Sequence, residues 1–369
     1  MFEKERASQL LDQKKWTGPT TLDEEFMRQL ANTPDQYSFE DVLLIVKQLM
    51  PNEVVPLMNV YAASVKKLDH VQDAFEYATL HEQIDLLERL ISVHELDDLL
   101  SEWVAVYRLV YNLMGKRITN EDGVEAARKL YEQVQNPLMK IRAEYIEINE
   151  SYKIGNLRNV NIIEKKIRQF LKKIDPSFIK SALATRLSLL IGILKFYHQG
   201  CFKEGENYFL AVAVNEASSD STLSSTYHGL AHVSLVNNEK EKCFAYLEKS
   251  IELADKAKLY DYKNRLENEY FPFVQNYFGE RIDLNNVVLE EQAHQYVVRG
   301  DKQKALHLIE QLERKGRGTP YTLYYKGKAT KDMATLLRAI KSFAKESDLF
   351  RITLIEKEIN RLIYGEVKR

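Results

Sequence analysis

Few turn residues, helical spacing along nearly the whole chain and no sustained strand alternation predict an all-α fold. Only 14 Gly and 8 Pro serve 369 residues, which is too little turn chemistry for an all-β or alternating α/β chain and suits long helices with short connections. A hydrophobic fraction of 45% beside 29% charged residues fits a folded chain rather than a disordered one. The clearest organisation is the stretch 289–312, LEEQAHQYVVRGDKQKALHLIEQL. Leu289, Ala293 and Tyr296 share one face of a first helix, Gly300-Asp301 makes a tight turn, and Ala305, Ile309 and Leu312 share one face of a second. Ala293 and Ala305 stand where the two helices approach closest and a larger side chain would part them. This is the spacing of a tetratricopeptide (TPR) unit. Such a unit cannot bury its apolar face alone, so it implies stacked neighbours and a right-handed TPR-like helical-repeat superhelix with a concave surface. Surfaces of that kind hold peptides or proteins, and the chain reads first as a binding protein.

The first fifty residues differ in kind. They read as short helices over 7–16, 21–30 and 38–49, divided by Thr17-Gly18-Pro19 and Asn32-Thr33-Pro34. Thr21 with Glu24 and Ser38 with Asp41 fit the capping-box pattern that starts a helix. Two short helices joined by a Gly-containing turn have the geometry of a helix-turn-helix. In that reading the helix 21–30 enters the major groove, carrying Thr20, Thr21 and Asp23 towards the bases, with Lys14, Lys15 and Arg28 available to phosphates. The alternative is a three-helix cap on the solenoid. Six bases stand against nine acids over residues 1–50, and Asp23-Glu24-Glu25 in the reading helix opposes phosphate neutralisation.

Residues 51–186 continue as helices with faded repeat spacing, for example FEYATLHEQIDLLERLISV and SEWVAVYRLVYNLM. From 187 to 369 the TPR-like character returns. A weak unit spans 187–217, turning at Gln199-Gly200. A clear unit spans 223–254, with Tyr227, Leu230, Ala231 and Ser234 on one helix, Cys243, Leu247 and Ser250 on the next, and Asn237-Asn238 between them. An irregular pair follows over 256–286, where Pro272 in the run ENEYFPFVQNYFGE should kink or end a helix. After Gly316-Arg317-Gly318-Thr319-Pro320 a last pair runs to the C-terminus. The expected organisation is therefore a head at 1–50, degenerate helical repeats at 51–186, and TPR-like and capping repeats at 187–369.

Several function classes find no support. No apolar run approaches the roughly 18 residues of a membrane span, and the N-terminus lacks the apolar core of a signal peptide. Cys201 and Cys243 form no CxxC pair, so a cytoplasmic protein with free thiols is the simplest expectation. A net charge of −2 advertises no global nucleic-acid affinity. Acids dominate 52–110 and bases 153–180; a solvated helix face and a surface that steers partners both explain such runs. No Walker loop, Gly-rich dinucleotide turn, GxSxG or HExxH is present, so neither an enzyme nor a cofactor is expected. His228 and His232 are spaced i, i+4 and could face one metal. They flank the close-packing Ala231 without an evident third ligand, so a structural or groove-lining role is preferred.

With the residues laid out this way, the chain resembles the arbitrium receptor family, AimR, peptide-sensing regulators of temperate phages. The resemblance is collinear over nearly the full length. Its strongest piece runs from Glu291-Gln292-Ala293-His294 through Val298-Arg299-Gly300-Asp301 to Lys304-Ala305. Further pieces are Asn32-Thr33-Pro34 with Leu44-Ile45-Val46-Lys47 and Pro51, Glu76-Tyr77-Ala78, Trp103 with Val106-Tyr107, and Tyr324-Tyr325 with Gly327 ahead of Ser342-Phe343. The resemblance implies an N-terminal helix-turn-helix, placed as residues 7–34 lie here. It also implies a TPR-like superhelix that holds a short communication peptide and switches a promoter governing the choice between lysis and lysogeny.

It also implies site residues. The family's peptide, about six residues long, carries an arginine near its C-terminus, which groove acids recognise by charge-assisted hydrogen bonds. Glu291 and Asp348 align with such acids. Glu290, Gln295, His228, Tyr197 and Tyr324 complete the peptide-binding candidates. Two Asn residues with which the family grips the peptide main chain are replaced here by Ile193 and Tyr197. The partners so implied are the peptide and promoter DNA, in a bacterial cytoplasm. The C-terminal stretch ITLIEKEINRLIYGEVKR lacks the family's leucine-rich dimer tail, so a weak homodimer through the last helices is expected. A TPR adaptor that binds a protein and never touches DNA is the alternative reading.

Overall fold

The protein is described by a computed structural model over residues 16, 18–33, 37–156 and 160–364. Among these residues every regular element is a helix, as the turn-poor composition requires. None is long and apolar enough to cross a membrane. The chain forms two compact units, one of residues 1–190 with 214–219, the other of 191–213 with 220–369.

The first unit contains α1 (Glu24–Ala31), α2 (Phe39–Leu49), α3 (Val54–Ala62), α4 (Leu68–Leu80), α5 (Ile84–Val93), α6 (Ser101–Met114), α7 (Asn120–Gln133), α8 (Pro137–Lys153) and α9 (Val160–Leu171). It also takes most of α10 (Phe178–Ile193). Ser38 caps α2 through the expected reciprocal box with Asp41. The box expected at Thr21 does not form. Asp23 caps α1 instead, accepting from the Phe26 amide at 2.8 Å, so Thr20 and Thr21 precede the helix rather than belonging to its first turn. Trp16 is not helical either. Its indole donates to the Pro19 carbonyl at 3.1 Å and packs on Phe26 and Tyr37. The remainder of the helix expected at 7–16, with Lys14 and Lys15, lies outside the described residues. Leu22 and Met27 join Phe39, Val42, Leu43 and Val46 in one core with α3 to α6. Within FEYATLHEQIDLLERLISV, Glu82 with a positive φ of 58° lies between α4 and α5.

One polar contact organises the interior of this unit. Glu76 on α4 is fully buried. Its carboxylate accepts from Tyr107 Oη at 2.7 Å, Arg142 Nε at 2.9 Å and Arg186 Nε at 2.7 Å. Each guanidinium also donates through Nη2 to the Thr79 hydroxyl. Four helices, α4, α6, α8 and α10, are thereby tied through one side chain. Burial alone would raise the Glu76 pKa, but the two arginines and the tyrosine hold it below the ordinary value.

The second unit begins within α10, which widens into a π-helical turn at Leu194–His198. It continues through α11 (Phe202–Ala213), α12 (Asp220–Val236), α13 (Lys240–Lys256), α14 (Tyr260–Arg265), a second π turn at Leu266–Tyr270 and α15 (Phe271–Tyr277). It ends with α16 (Leu289–Val298), α17 (Lys302–Arg314), α18 (Pro320–Thr330), α19 (Met333–Lys345) and α20 (Leu349–Tyr364). The TPR-like pairs fall at α12–α13 and α16–α17. Ala231, Cys243, Leu247 and Ser250 are buried in the first, and Ala293, Ala305, Ile309 and Leu312 in the second. Gly300 takes φ +77° to turn α16 into α17, a conformation that costs any other residue Cβ strain. Gly229 is needed for a different reason: a Cβ there would lie 2.8 Å from the Phe209 ring. Pro272 falls two residues beyond the second π turn. The wide turn accommodates the hydrogen bond that proline removes.

Removing the Glu76 carboxylate leaves two guanidiniums without their anion. Glu76→Ala should therefore destabilise the first unit by about 3–5 kcal/mol in denaturant unfolding. Because the folded carboxyl titrates below its unfolded counterpart near 4.5, its stabilisation is complete above that pH and drains as the pH falls through the folded value. Glu76→Gln should flatten this acid-side loss, and an unchanged acid slope would contradict the assignment.

Candidate functional site

The sequence LEEQAHQYVV gives α16 an unusual inner face. Besides Ala293, the residues it buries are Glu291, His294 and Gln295, while Leu289 and Tyr296 are only half-buried. The expected apolar stripe is thus partly replaced by a polar one, and each of its groups must find a partner. Glu291 Oε2 accepts from Asn276 Nδ2 at 2.9 Å and lies 3.2 Å from His294 Nδ1, and Oε1 accepts from the Tyr325 hydroxyl. The same Asn276 amide donates to the Glu291 main-chain oxygen at 3.0 Å. Gln295 Nε2 donates to Asn276 Oδ1 at 2.5 Å and to the Glu280 carbonyl at 2.8 Å. Arg299 Nε donates to Gln295 Oε1 at 2.9 Å.

The protonation states follow from this geometry. Lys328 Nζ sits 3.3 Å from His294 Nε2, and an ammonium only donates. His294 therefore accepts at Nε2 and donates from Nδ1–H to Glu291. Burial, reinforced by Lys328, holds the His294 pKa well below 6.5, so the ring is neutral. Burial also raises Glu291 to about 7, against the donors from Tyr325 and Asn276 that favour its charge. Glu290, the neighbouring candidate, faces elsewhere and accepts from the Thr319 hydroxyl. Tyr324 is buried, and among the described residues its hydroxyl has no partner.

A second cluster forms around α20. Asp348 caps this helix, accepting from the Arg351 amide at 3.0 Å and from Arg351 Nη1 at 2.7 Å. Arg351 Nε donates to the Tyr321 hydroxyl at 2.7 Å, and its guanidinium lies over the rings of Tyr197, Tyr321 and Phe350. Tyr197 Oη is 2.7 Å from His232 Nδ1, and His228 Nδ1 is 2.8 Å from the Tyr262 hydroxyl. The two imidazoles spend those nitrogens on tyrosines, with ring centroids 4.5 Å apart. Burial lowers the His228 pKa to about 3. Among the described residues His228 Nε2 is buried without a partner.

Tyrosines join the clusters. Tyr325, bonded to Glu291, lies 6.1 Å centroid to centroid from Tyr321, which holds Arg351 and through it Asp348. The structure therefore brings Glu291, Asp348, Tyr197 and His228 into one aromatic-lined interior with Gln295 and Tyr324 beside it. Arg351, Tyr325, Asn276, Tyr321 and His232 complete it. The sequence had pointed to His232 as structural or groove-lining and to Tyr325 only through the family resemblance, and Arg351, Asn276 and Tyr321 were missed. Of these three only Arg351 had a local signal, as a base three residues after an acid at a helix start.

In the head, Thr20, Thr21 and Arg28 are exposed. Arg28 Nη2 pairs with Glu24 at 2.8 Å. Of the two first helices, α2 is largely buried whereas α1 presents Glu24, Glu25, Arg28 and Gln29 to solvent.

Comparison with known proteins adds three findings. The family described as AimR transcriptional regulator-like matches residues 54–361. A structure of SeMet-phAimR superposes with a TM-score of 0.72 at 16% identity, covering 98% of this chain and 96% of that one. A structure of phAimR-Ligand superposes with a TM-score of 0.64 at 17% identity, covering 87% and 96% respectively. No curated protein sequence matches the chain.

The raised Glu291 value has a stability consequence. Between the unfolded value near 4.5 and about 7 the folded state binds the extra proton at Glu291, so the contribution of Glu291 to stability should fall as pH rises across that window and level off above it. Glu291→Gln should remove this slope, since one amide oxygen still serves Asn276 and His294 while Tyr325 turns to accept. Urea midpoints from pH 4 to 8 that slope identically in both proteins would refute it. Glu291→Ala, which strands three donors, should cost roughly 3 kcal/mol.

Proposed function

Because this chain belongs to the AimR transcriptional regulator-like family, we propose that it is a phage-encoded, peptide-sensing transcriptional regulator of the lysis–lysogeny choice, working in the bacterial cytoplasm. The observation that carries this reading is the meeting of Glu291 and Asp348 in one aromatic-lined network of the second unit. A peptide guanidinium is the natural ligand for such acids. In the free protein Asp348 is already held by Arg351, so an incoming arginine competes with Arg351 for the same oxygens. Displacing Arg351 releases its hold on Tyr197, Tyr321 and the first turn of α20. Peptide thereby favours one arrangement of these helices over another, which is what a switch requires. His228, Gln295, Glu290 and Tyr324 are the flanking contacts of this proposal.

Promoter DNA is the second partner proposed. The exposed face of α1 with Thr20, Thr21 and Arg28 supports a reading head, with Lys14 and Lys15 on phosphates. The acidic first turn, Glu24 and Glu25, and the Arg28–Glu24 pair favour a second reading, a TPR adaptor for a protein partner. Retention on heparin or duplex DNA that falls steeply with salt separates the two.

The decisive test is promoter-fragment binding with and without arginine-bearing hexapeptides. A peptide that binds should alter DNA affinity or spacing, and Asp348→Asn should weaken that peptide about tenfold (~1.4 kcal/mol). A peptide with Ala in place of Arg should not distinguish the variant from the parent. If no such peptide changes DNA binding, the mechanism is wrong.

Pairing is proposed at the end of α20, where Ile363 and Tyr364 are 55% and 75% exposed. The last five residues lie outside the described ones. So small an apolar end supports only a weak dimer, exchanging with monomer at about micromolar concentration. Light scattering on dilution should show dissociation, and a dimer persisting at nanomolar concentration would place the contact elsewhere.

A further inference from the structure

The first unit contains a pocket of about 480 Å³ between α4, α6, α8 and α10, lined by Thr79, Arg142 and Arg186 on one side and by Val110, Leu113, Met114 and Ile146 on another. Its volume is in the range of small-molecule sites. Both arginines are fixed from behind. Nε and Nη2 of each are committed to Glu76 and Thr79, and Tyr107 is a further partner of Arg142, while among the described residues neither Nη1 is bonded to a carboxylate. Two guanidiniums against one fully buried carboxylate leave a positive charge that burial penalises unless an anion completes it. The other acids of the lining are not bonded to these arginines. Lys153 and Asn149 hold Glu150 Oε1 at 2.7 and 2.8 Å, while its Oε2 is buried without a partner among the described residues, and Glu82 is exposed, where solvent screens it.

We propose that this pocket binds a small organic carboxylate, its two oxygens on the Nη1 groups of Arg142 and Arg186 and its apolar body against Val110, Leu113, Met114 and Ile146. Two single donors, one from each guanidinium, suit the two oxygens of a planar carboxylate. The apolar side formed by Val110, Leu113, Met114 and Ile146 favours an organic carboxylate over inorganic phosphate. The site is separate from the Glu291–Asp348 network and does not rest on the peptide reading.

Calorimetric titration of the full chain at low salt with 4-methylpentanoate tests it, with 4-methylpentan-1-ol as the neutral control of the same shape. The acid should bind saturably at one site, and the alcohol should not. Arg186→Gln should weaken the acid at least about tenfold. Met114→Trp, which fills the apolar side and leaves both arginines in place, should abolish binding while leaving the far-UV spectrum unchanged. If Arg186→Gln does not fold, the acid–alcohol contrast and Met114→Trp decide. Equal binding of acid and alcohol would overturn the proposal, as would undiminished affinity in either folded variant. So would the absence of saturable heat up to about 10 mM, or saturable binding of inorganic phosphate in place of the carboxylate.

Discussion

The hydrogen bonds that Glu291 accepts inside the second unit are the contact on which the candidate site depends. A helix that buries Glu291, His294 and Gln295 on one face cannot be held by apolar packing alone, because each unpaired group would cost about as much as a packed methyl cluster returns. Asn276 closes the account from α15, Tyr325 from α18, and Lys328 from the same helix through His294. The small residues Ala293 and Ala305 let α16 and α17 approach closely, and this leaves the polar face free to engage the other neighbours. Once Tyr325 is fixed by Glu291, Tyr321 one turn earlier is placed to hold Arg351, and Arg351 in turn fixes Tyr197 and Asp348. The acids that would meet a ligand are therefore preorganised, and they are also occupied. On the proposed reading, a ligand arginine would exchange with Arg351 for the Asp348 oxygens.

The first unit uses the same device with the opposite balance. Glu76 is one carboxylate serving two arginines, whereas Glu291 is a carboxylate held by neutral donors and a distant ammonium. The consequence is visible in their acidities, one depressed and the other raised to about 7. Falling pH therefore weakens the contribution of Glu76 and strengthens that of Glu291.

Much of the helical frame was legible in the residues, because period and punctuation are local. Ala231, Cys243 and Leu247, and Ala293, Ala305 and Ile309, lie buried where their spacing put them, and Gly300 and Asn238 turn with positive φ. The Ser38–Asp41 box formed as written. The Thr21–Glu24 box did not, because Asp23 offers a stronger cap two residues closer to the apolar positions Phe26 and Met27. The polar interior was not legible. Its pairs join residues far apart in sequence: Asn276 and Glu291 are 15 positions apart, Tyr325 and Glu291 are 34, and Arg186 and Glu76 are 110. No local period encodes such partners. Arg351 had a local signal three residues after Asp348, but a base near a helix start reads as an unfavourable surface charge until Tyr321 is seen beside it.

Hydrogen exchange on the intact chain, with and without a binding arginine-bearing hexapeptide, tests the central claim most directly. Slowed exchange confined to α16, α18, the start of α20 and the π turn at 194–198, together with a change in the α1 segment when promoter DNA is added, is the predicted result. Protection concentrated elsewhere, with α16 and the first turn of α20 unaltered, would contradict the account.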